Sequence, residues 1–342
     1  MSDYLIPLYS RVATSTFHYV DVTAMSTNNF TGTKRTATMG GDRLAATLSL
    51  SAQQGADRAA MIGWMMQLRG KQNRAILIDH AAKLRGSFPT FDLLANGQFG
   101  SSFNSWSASA NFALTVQDRV LRTTAVGATL GLPALYLNGT VPTVTGAAYV
   151  ARFMVHRGRG LFTGGYRIDV GSAVNTNSIA TGTALAAFGL GTQTFIASGT
   201  AASMRLWILS AGAIGDYLQI PYASLARCLL VDGAAQTGSA LAVKSLPAST
   251  LGLLLTADLF EVITSLGSEL KYLTAPLNSD ASGKGYLQFE PPLRGVPADG
   301  APIIVHQPMG RFLYMGSFPT WINDPGVISS ATFDFEEAPP IT

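Results

Sequence analysis

A chain of 342 residues has room for two or three domains and for cores that fold without covalent staples. Hydrophobic residues make up 47% and charged residues only 13%, which excludes a disordered chain, and the single cysteine, Cys228, excludes an internal disulfide. The net charge of +3 is uneven: residues 1–91 hold ten Lys and Arg against five Asp, 92–244 hold nine against five, and 245–342 hold four against ten. Basic residues nowhere cluster with interleaved aromatics, so nucleic-acid specificity is not expected.

In chain order, TFHYVDVTAM (16–25) and RLAATLSLSA (43–52) alternate as half-buried strands, with the Gly-Gly turn of TMGGDR (38–43) between them. QGADRAAMIGWMMQLRG (54–70) predicts a helix: Met61, Met65 and Leu68 fall on one face with Trp64, and Gly70 serves as the C-cap. NRAILIDH (73–80) reads as a buried strand. The N-terminus, MSDYLIPLYSRVA, has no apolar core of signal-peptide length, and LGLLL (251–255) is far too short to span a bilayer; a soluble protein is expected.

The texture changes at residue 92. From there to 244 short β-like runs (FALTVQD, AYVARFMVH, YRIDVG, SMRLWILS, DYLQIPYASLARCLLVDG) alternate with Gly, Asn, Thr and Ser turns, the pattern of a β-sandwich. GRGLFTGG (158–165) lacks the Lys-Ser/Thr ending of a phosphate loop and is expected to be a hairpin connection. After 245 the first texture returns in ADLFEVI, SELKYLT, GYLQFEPPLRG, APIIVHQP, RFLYMG and ATFDFEEA, broken by prolines. The expected fold is therefore mainly β: a split β-rich domain with one helix from 1–91 and 245–342, and an inserted β-sandwich of the jelly-roll type from 92–244.

Three stretches resemble tail proteins of long-tailed bacteriophages, of the distal-tail or tail-tip (minor tail) class. They are KRTATMGGDRLAATLSL running into MIGWMMQLRGKQNRAILID (34–50, 61–79), LNSDASGKGYLQFEPPLRGVPADGAPIIV (277–305) and the acidic ATFDFEEA (331–338). The segment LLANGQFGSSFNSWSAS, with Asn96-Gly97 and Phe99 leading to Trp106, and VTGAAYVARFMVH (144–156) resemble the opening strands of jelly-roll carbohydrate-binding modules. The acidic residue expected beside Phe99 is absent, since Gly100 follows it, so a structural calcium is not assigned.

The resemblance implies a virion protein, assembled in the host cytoplasm, that forms a homo-oligomeric ring (hexamer or trimer) at the distal end of the tail. Its partners would be the tail tube and the tip or hub proteins, and its jelly roll would contact host-surface glycan or fibres. The alternative is a soluble polysaccharide-binding or polysaccharide-degrading protein. No catalytic, metal or cofactor residues are assigned: the four histidines are scattered, and no paired-carboxylate motif stands out among Asp92, Asp118, Asp169, Asp216 and Asp232. Aromatic faces beside polar groups suit sugar rings, which selects Tyr166 with Arg167 and Trp207 with Arg205, whereas Trp106 and Tyr149 are expected in the core. Trp321, in the loop GSFPTWINDPG, and Glu336 and Glu337 are the candidate assembly interface. The opposite charges of the outer segments attract either within one protomer or between neighbours, and the sequence favours neither.

Overall fold

The computed structural model describes residues 3–7, 12–27, 34–38, 41–53, 55–78, 85–89, 92–94, 97–99, 102–117, 120–127, 132–159, 165–185, 189–209, 213–316 and 329–338. The first segment forms β1 (Asp3–Leu5), β2 (Val12–Val20), β3 (Thr23–Thr27), β4 (Lys34–Thr38), β5 (Arg43–Gln53), α1 (Gly55–Leu68) and β6 (Arg74–Ile78). The middle segment forms β7 (Trp106–Ser107), β8 (Phe112–Gln117), β9 (Val120–Ala125), β10 (Leu132–Leu137), β11 (Val141–Pro142), β12 (Ala148–Arg159), β13 (Tyr166–Gly171), β14 (Ala180–Thr181), β15 (Gly189–Ile196), β16 (Ala201–Ile208) and β17 (Tyr217–Arg227). The last forms β18 (Leu229–Val231), β19 (Gly238–Lys244), β20 (Leu259–Thr264), β21 (Gly267–Leu273), β22 (Gly285–Leu293), β23 (Pro302–Ile304), β24 (Met309–Tyr314) and β25 (Ser329–Glu337). The described residues are mainly β with one helix.

The two ends of the chain share one sheet, in the order β1-β6-β24-β25-β5-β2. Helix α1 lies on this sheet through the face read from its spacing: Met61, Trp64, Met65 and Leu68 are buried with Leu48, Phe312 and Phe335, and Met66 on the other side is exposed. The Trp64 indole N–H donates to the Tyr4 carbonyl (3.1 Å). The helix ends at Leu68, followed by Arg69 and Gly70 with φ of 48° and 65°, a left-handed exit that glycine favours. The strand expected over 16–25 is divided: β2 pairs with β5, and β3 turns away to pair with β4.

A closed barrel, β18-β19-β22-β21-β20-β23, packs Phe260 against Phe289 in its interior and takes in Phe88 from the first segment. Strands β18 and β19 belong to this barrel, so pairing partners change at Cys228 rather than at the expected 244. DYLQIPYASLARCLLVDG reads as one β run; a single residue, Cys228, separates two strands of different sheets. The sandwich consists of β14-β13-β16-β10-β7, with β11 also on β16, and β15-β12-β17-β9-β8. Its core holds Trp106 and Tyr149, as expected, with Phe153, Tyr166 and Ile220. Its chain entry and exit meet: the Leu93 N–H donates to the Leu225 carbonyl (2.8 Å). The stretch 158–165 joins β12 to β13, which lie in opposite sheets, so it is not a hairpin turn; residues 160–164 lie outside the described residues.

One sheet of the sandwich is docked. Met154 and Tyr222, on its outer face, pack on Leu5, Ile76, Ile78 and Met309 of the mixed sheet, and Ala148 and Val150 pack on Leu230 and Ile304 of the barrel. Each large side chain so buried contributes roughly 1.5–3 kcal/mol. Within this junction the Arg152 guanidinium reaches Glu261 (3.0 Å), with both side chains almost fully buried.

Candidate functional site

The docked sheet leaves the other sheet of the sandwich facing away from the barrel. On β13 and β16 the alternation of side chains is decisive. Tyr166, Ile168 and Val170 turn inward; Arg167 and Asp169 turn outward, opposite Trp207 and Arg205. Arg167, Arg205 and Trp207 of the predicted set are thus brought onto one face of the sheet, where Arg167 and Trp207 are partly exposed and Arg205 is buried. Tyr166 is not: it is buried, and its hydroxyl donates to the Gly189 carbonyl (2.8 Å), so no ring face reaches solvent. Its neighbour Arg167 suggests exposure from the sequence, but adjacent strand residues point to opposite faces.

Asp169 lies beneath this surface and organises it. It is fully buried and accepts from Arg167 Nε (3.2 Å), Arg205 Nε (3.2 Å) and the Gly182 N–H (3.2 Å). The guanidinium carbons of Arg205 and Arg167 stand 4.5 Å and 5.0 Å from the Trp207 ring centroid. Arg205 is further held by the carbonyl of Asn175 (2.7 Å). Sequence reasoning did not select two members, Asp169 and Tyr136, for this face. Asp169 was legible, two residues from Arg167 on the same strand face. Tyr136 was not, because only the pairing of β10 with β16 sets it opposite Arg205.

The acidic candidates for assembly are occupied within the protomer. Glu336 pairs with Arg43, and Glu337 accepts from Arg294 Nη2 (2.5 Å) and the Leu44 N–H (3.1 Å). Glu337 is buried; that burial pushes its carboxyl above the usual range, partly offset by Arg294 and Lys271. These contacts tie together the Gly-Asp-Arg turn, the Pro-Leu-Arg joint and the acidic strand, the three stretches that carry the tail-protein resemblance. Arg85 with Asp258 adds a further link between the outer segments. Trp321 lies outside the described residues.

The described carboxylates of the sandwich are likewise engaged, and Asp118 lies outside the described residues. Asp92 accepts from the Leu94 (3.0 Å) and Leu225 (3.1 Å) N–H groups, and burial raises its carboxyl to about 6 despite both bonds. Asp216 caps the Ala213 N–H (2.9 Å). Cys228 is buried, with its thiol pushed well up by burial. Among the described residues no three His, Cys, Asp or Glu side chains are placed to hold a metal ion, and no helix is long and apolar enough to cross a membrane.

No family model matches the chain, and no curated protein matches it. Solved structures do. The second N-terminal cellulose-binding domain of a Cellulomonas fimi β-1,4-glucanase C aligns at 18% identity and a TM-score of 0.31, covering 42% of this chain and 97% of its own. The CBM22-1 xylan-binding domain of Paenibacillus barcinonensis Xyn10C aligns at 12% and 0.32, covering 41% and 97%. The tandem CBM22-1–CBM22-2 structure from the same enzyme aligns at 12% and 0.32, covering 75% and 100%.

Proposed function

We propose that this chain is a structural protein of the distal end of a bacteriophage tail. Its body, built from residues 1–91 and 229–342, assembles with copies of itself into a ring, and its sandwich, residues 92–228, is an inserted module that presents a saccharide-contact surface. The observation that carries this reading is the shared sheet: strands from both ends of the chain interleave while the sandwich enters and leaves at hydrogen-bonded neighbours. A stand-alone saccharide-binding protein has no need of such a host body.

The body also keeps an open edge. β2 is nine residues long, carries no Lys, Arg, Asp, Glu or Pro, and pairs on one side only among the described residues. Ala13, Thr14, Thr16, His18 and Tyr19 along it are exposed. A strand at the end of a sheet, without charged or proline residues, accepts a strand from another subunit. Because Glu336 and Glu337 are used internally, the subunit contact falls to this edge rather than to the acidic strand. The test is light scattering of the purified full chain across micromolar concentrations. Discrete multiples of the 36.0 kDa protomer are expected; a monomer at every concentration, alone and with tail-tube protein added, would overturn the assembly reading.

A further inference from the structure

We propose that the outward sheet of the sandwich binds a linear polysaccharide bearing carboxylate groups, an inference that rests on the saccharide-contact reading above. Strand registers align Ser107, Tyr136, Arg205, Asp169 and Thr181 as one cross-strand row: Ser107 opposite Tyr136, Tyr136 opposite Arg205, Arg205 opposite Asp169, and Asp169 opposite Thr181. The row crosses all five strands, about 19 Å at the usual strand spacing. Within it Arg205 and Asp169 are buried, while Ser107 and Tyr136 at one end and Thr181 at the other reach the surface, a spread suited to an extended chain rather than to one sugar. Trp207 and Arg167 lie beside it, on the next register line.

The chemistry of the track is cationic. A neutral pyranose is held by stacking on a bare indole or phenol face. Here the Trp207 ring is approached by two guanidiniums, while the single carboxylate below is buried and saturated. Arg205 spends its donors on Asp169 and Asn175. Arg167 uses only Nε among the described residues, and its side chain is 26% exposed. Its two terminal amino groups thus form a fork at the surface, oriented by Asp169 and the indole, and a fork of this kind pairs with a carboxylate through two parallel hydrogen bonds. On the strands of this sheet the charged residues are Arg167, Arg205 and Asp169, a net charge of +1. An acidic polymer, carrying charge at repeated intervals, meets both the length and the sign of this surface.

The test uses the full chain with polygalacturonate and with the same polymer fully methyl-esterified, which keeps the backbone and removes the charge. Binding is measured by isothermal titration at low and at physiological salt, for wild type and for Arg167→Gln, whose folding is checked by thermal melting. The acid form is expected to bind, to weaken with salt, and to lose about tenfold in affinity in Arg167→Gln, with the ester at least tenfold weaker than the acid. Equal binding of acid and ester overturns the acidic class and leaves the saccharide reading standing. Acid binding that Arg167→Gln does not change overturns the assignment to this face. Binding of neither polymer, nor of a second uronate polymer such as alginate, overturns the proposal, and failure of neutral xylan as well overturns the saccharide reading with it.

Discussion

Replacing Arg152 by methionine leaves the Glu261 carboxylate buried at the junction of sandwich and barrel without its counter-charge. Glu261 is 0% exposed and would keep two neutral donors, the Ser268 hydroxyl (2.6 Å) and the Met309 N–H (2.8 Å). Breaking one side of such a pair costs about 3–5 kcal/mol, because the remaining charge is desolvated. Arg152→Met should therefore lower the free energy of unfolding in urea by about that amount. Adding Glu261→Gln removes the stranded charge while a side-chain carbonyl still accepts from Met309. The double variant should recover at least half of the loss, a coupling of about 2 kcal/mol or more. The asymmetry is sharper in reverse. Glu261→Ala strands Arg152, whose Nε and Nη1 already have no hydrogen-bond partner among the described residues, and should cost at least as much. An Arg152→Met loss below about 1 kcal/mol, or no recovery in the double variant, would show that the pair is solvated. The sandwich would then not be docked through this face.

Three further outcomes follow from single positions. Asp92 titrates near about 6 when folded and near 3.8 otherwise, so the unfolded chain loses its proton first as pH rises. Stability should fall between roughly pH 4 and 6, by up to about 3 kcal/mol from this group. Asp92→Asn, which keeps the acceptor for Leu94 and Leu225, should gain on wild type over that window in thermal melts; parallel curves at pH 4 and 7 would refute this. At Gly97 an added Cβ falls 2.1 Å from the Ala223 carbonyl oxygen, so Gly97→Ala must push apart a pair of hydrogen-bonded segments and should cost about 1–3 kcal/mol in urea unfolding. Thr16→Lys, at an exposed position of β2, should shift light scattering toward the protomer while leaving the melting temperature within a few degrees, since lysine on an edge opposes strand addition.

Local pattern carried much of this architecture in the sequence. The Met61, Trp64, Met65, Leu68 face of α1 and its Gly70 exit were legible because helix periodicity and capping are local. A change of composition at residue 92 was legible for a similar reason, and Leu93 and Leu94 just after it pack in the sandwich core. The end of the sandwich was not, because Leu229–Val231 continues the apolar run of β17 and only long-range pairing assigns it to the barrel. The candidate face shows the same division. Arg205 and Trp207 alternate correctly, but Tyr166 was misjudged by adjacency to Arg167, and Tyr136 needs the β10–β16 register. Glu336 and Glu337 look like solvent-facing acids in ATFDFEEA. Their partners, Arg43 and Arg294, lie 293 and 43 residues away, beyond the reach of any pattern along the chain.

The central claim, a ring-forming body carrying an outward sandwich, is tested most directly by negative-stain imaging of the intact protein at the concentration where light scattering shows the largest species. Class averages should show a closed ring with one peripheral lobe per subunit, of a size fitting residues 92–228. Isolated bilobed particles, or open aggregates without rotational symmetry, would contradict it.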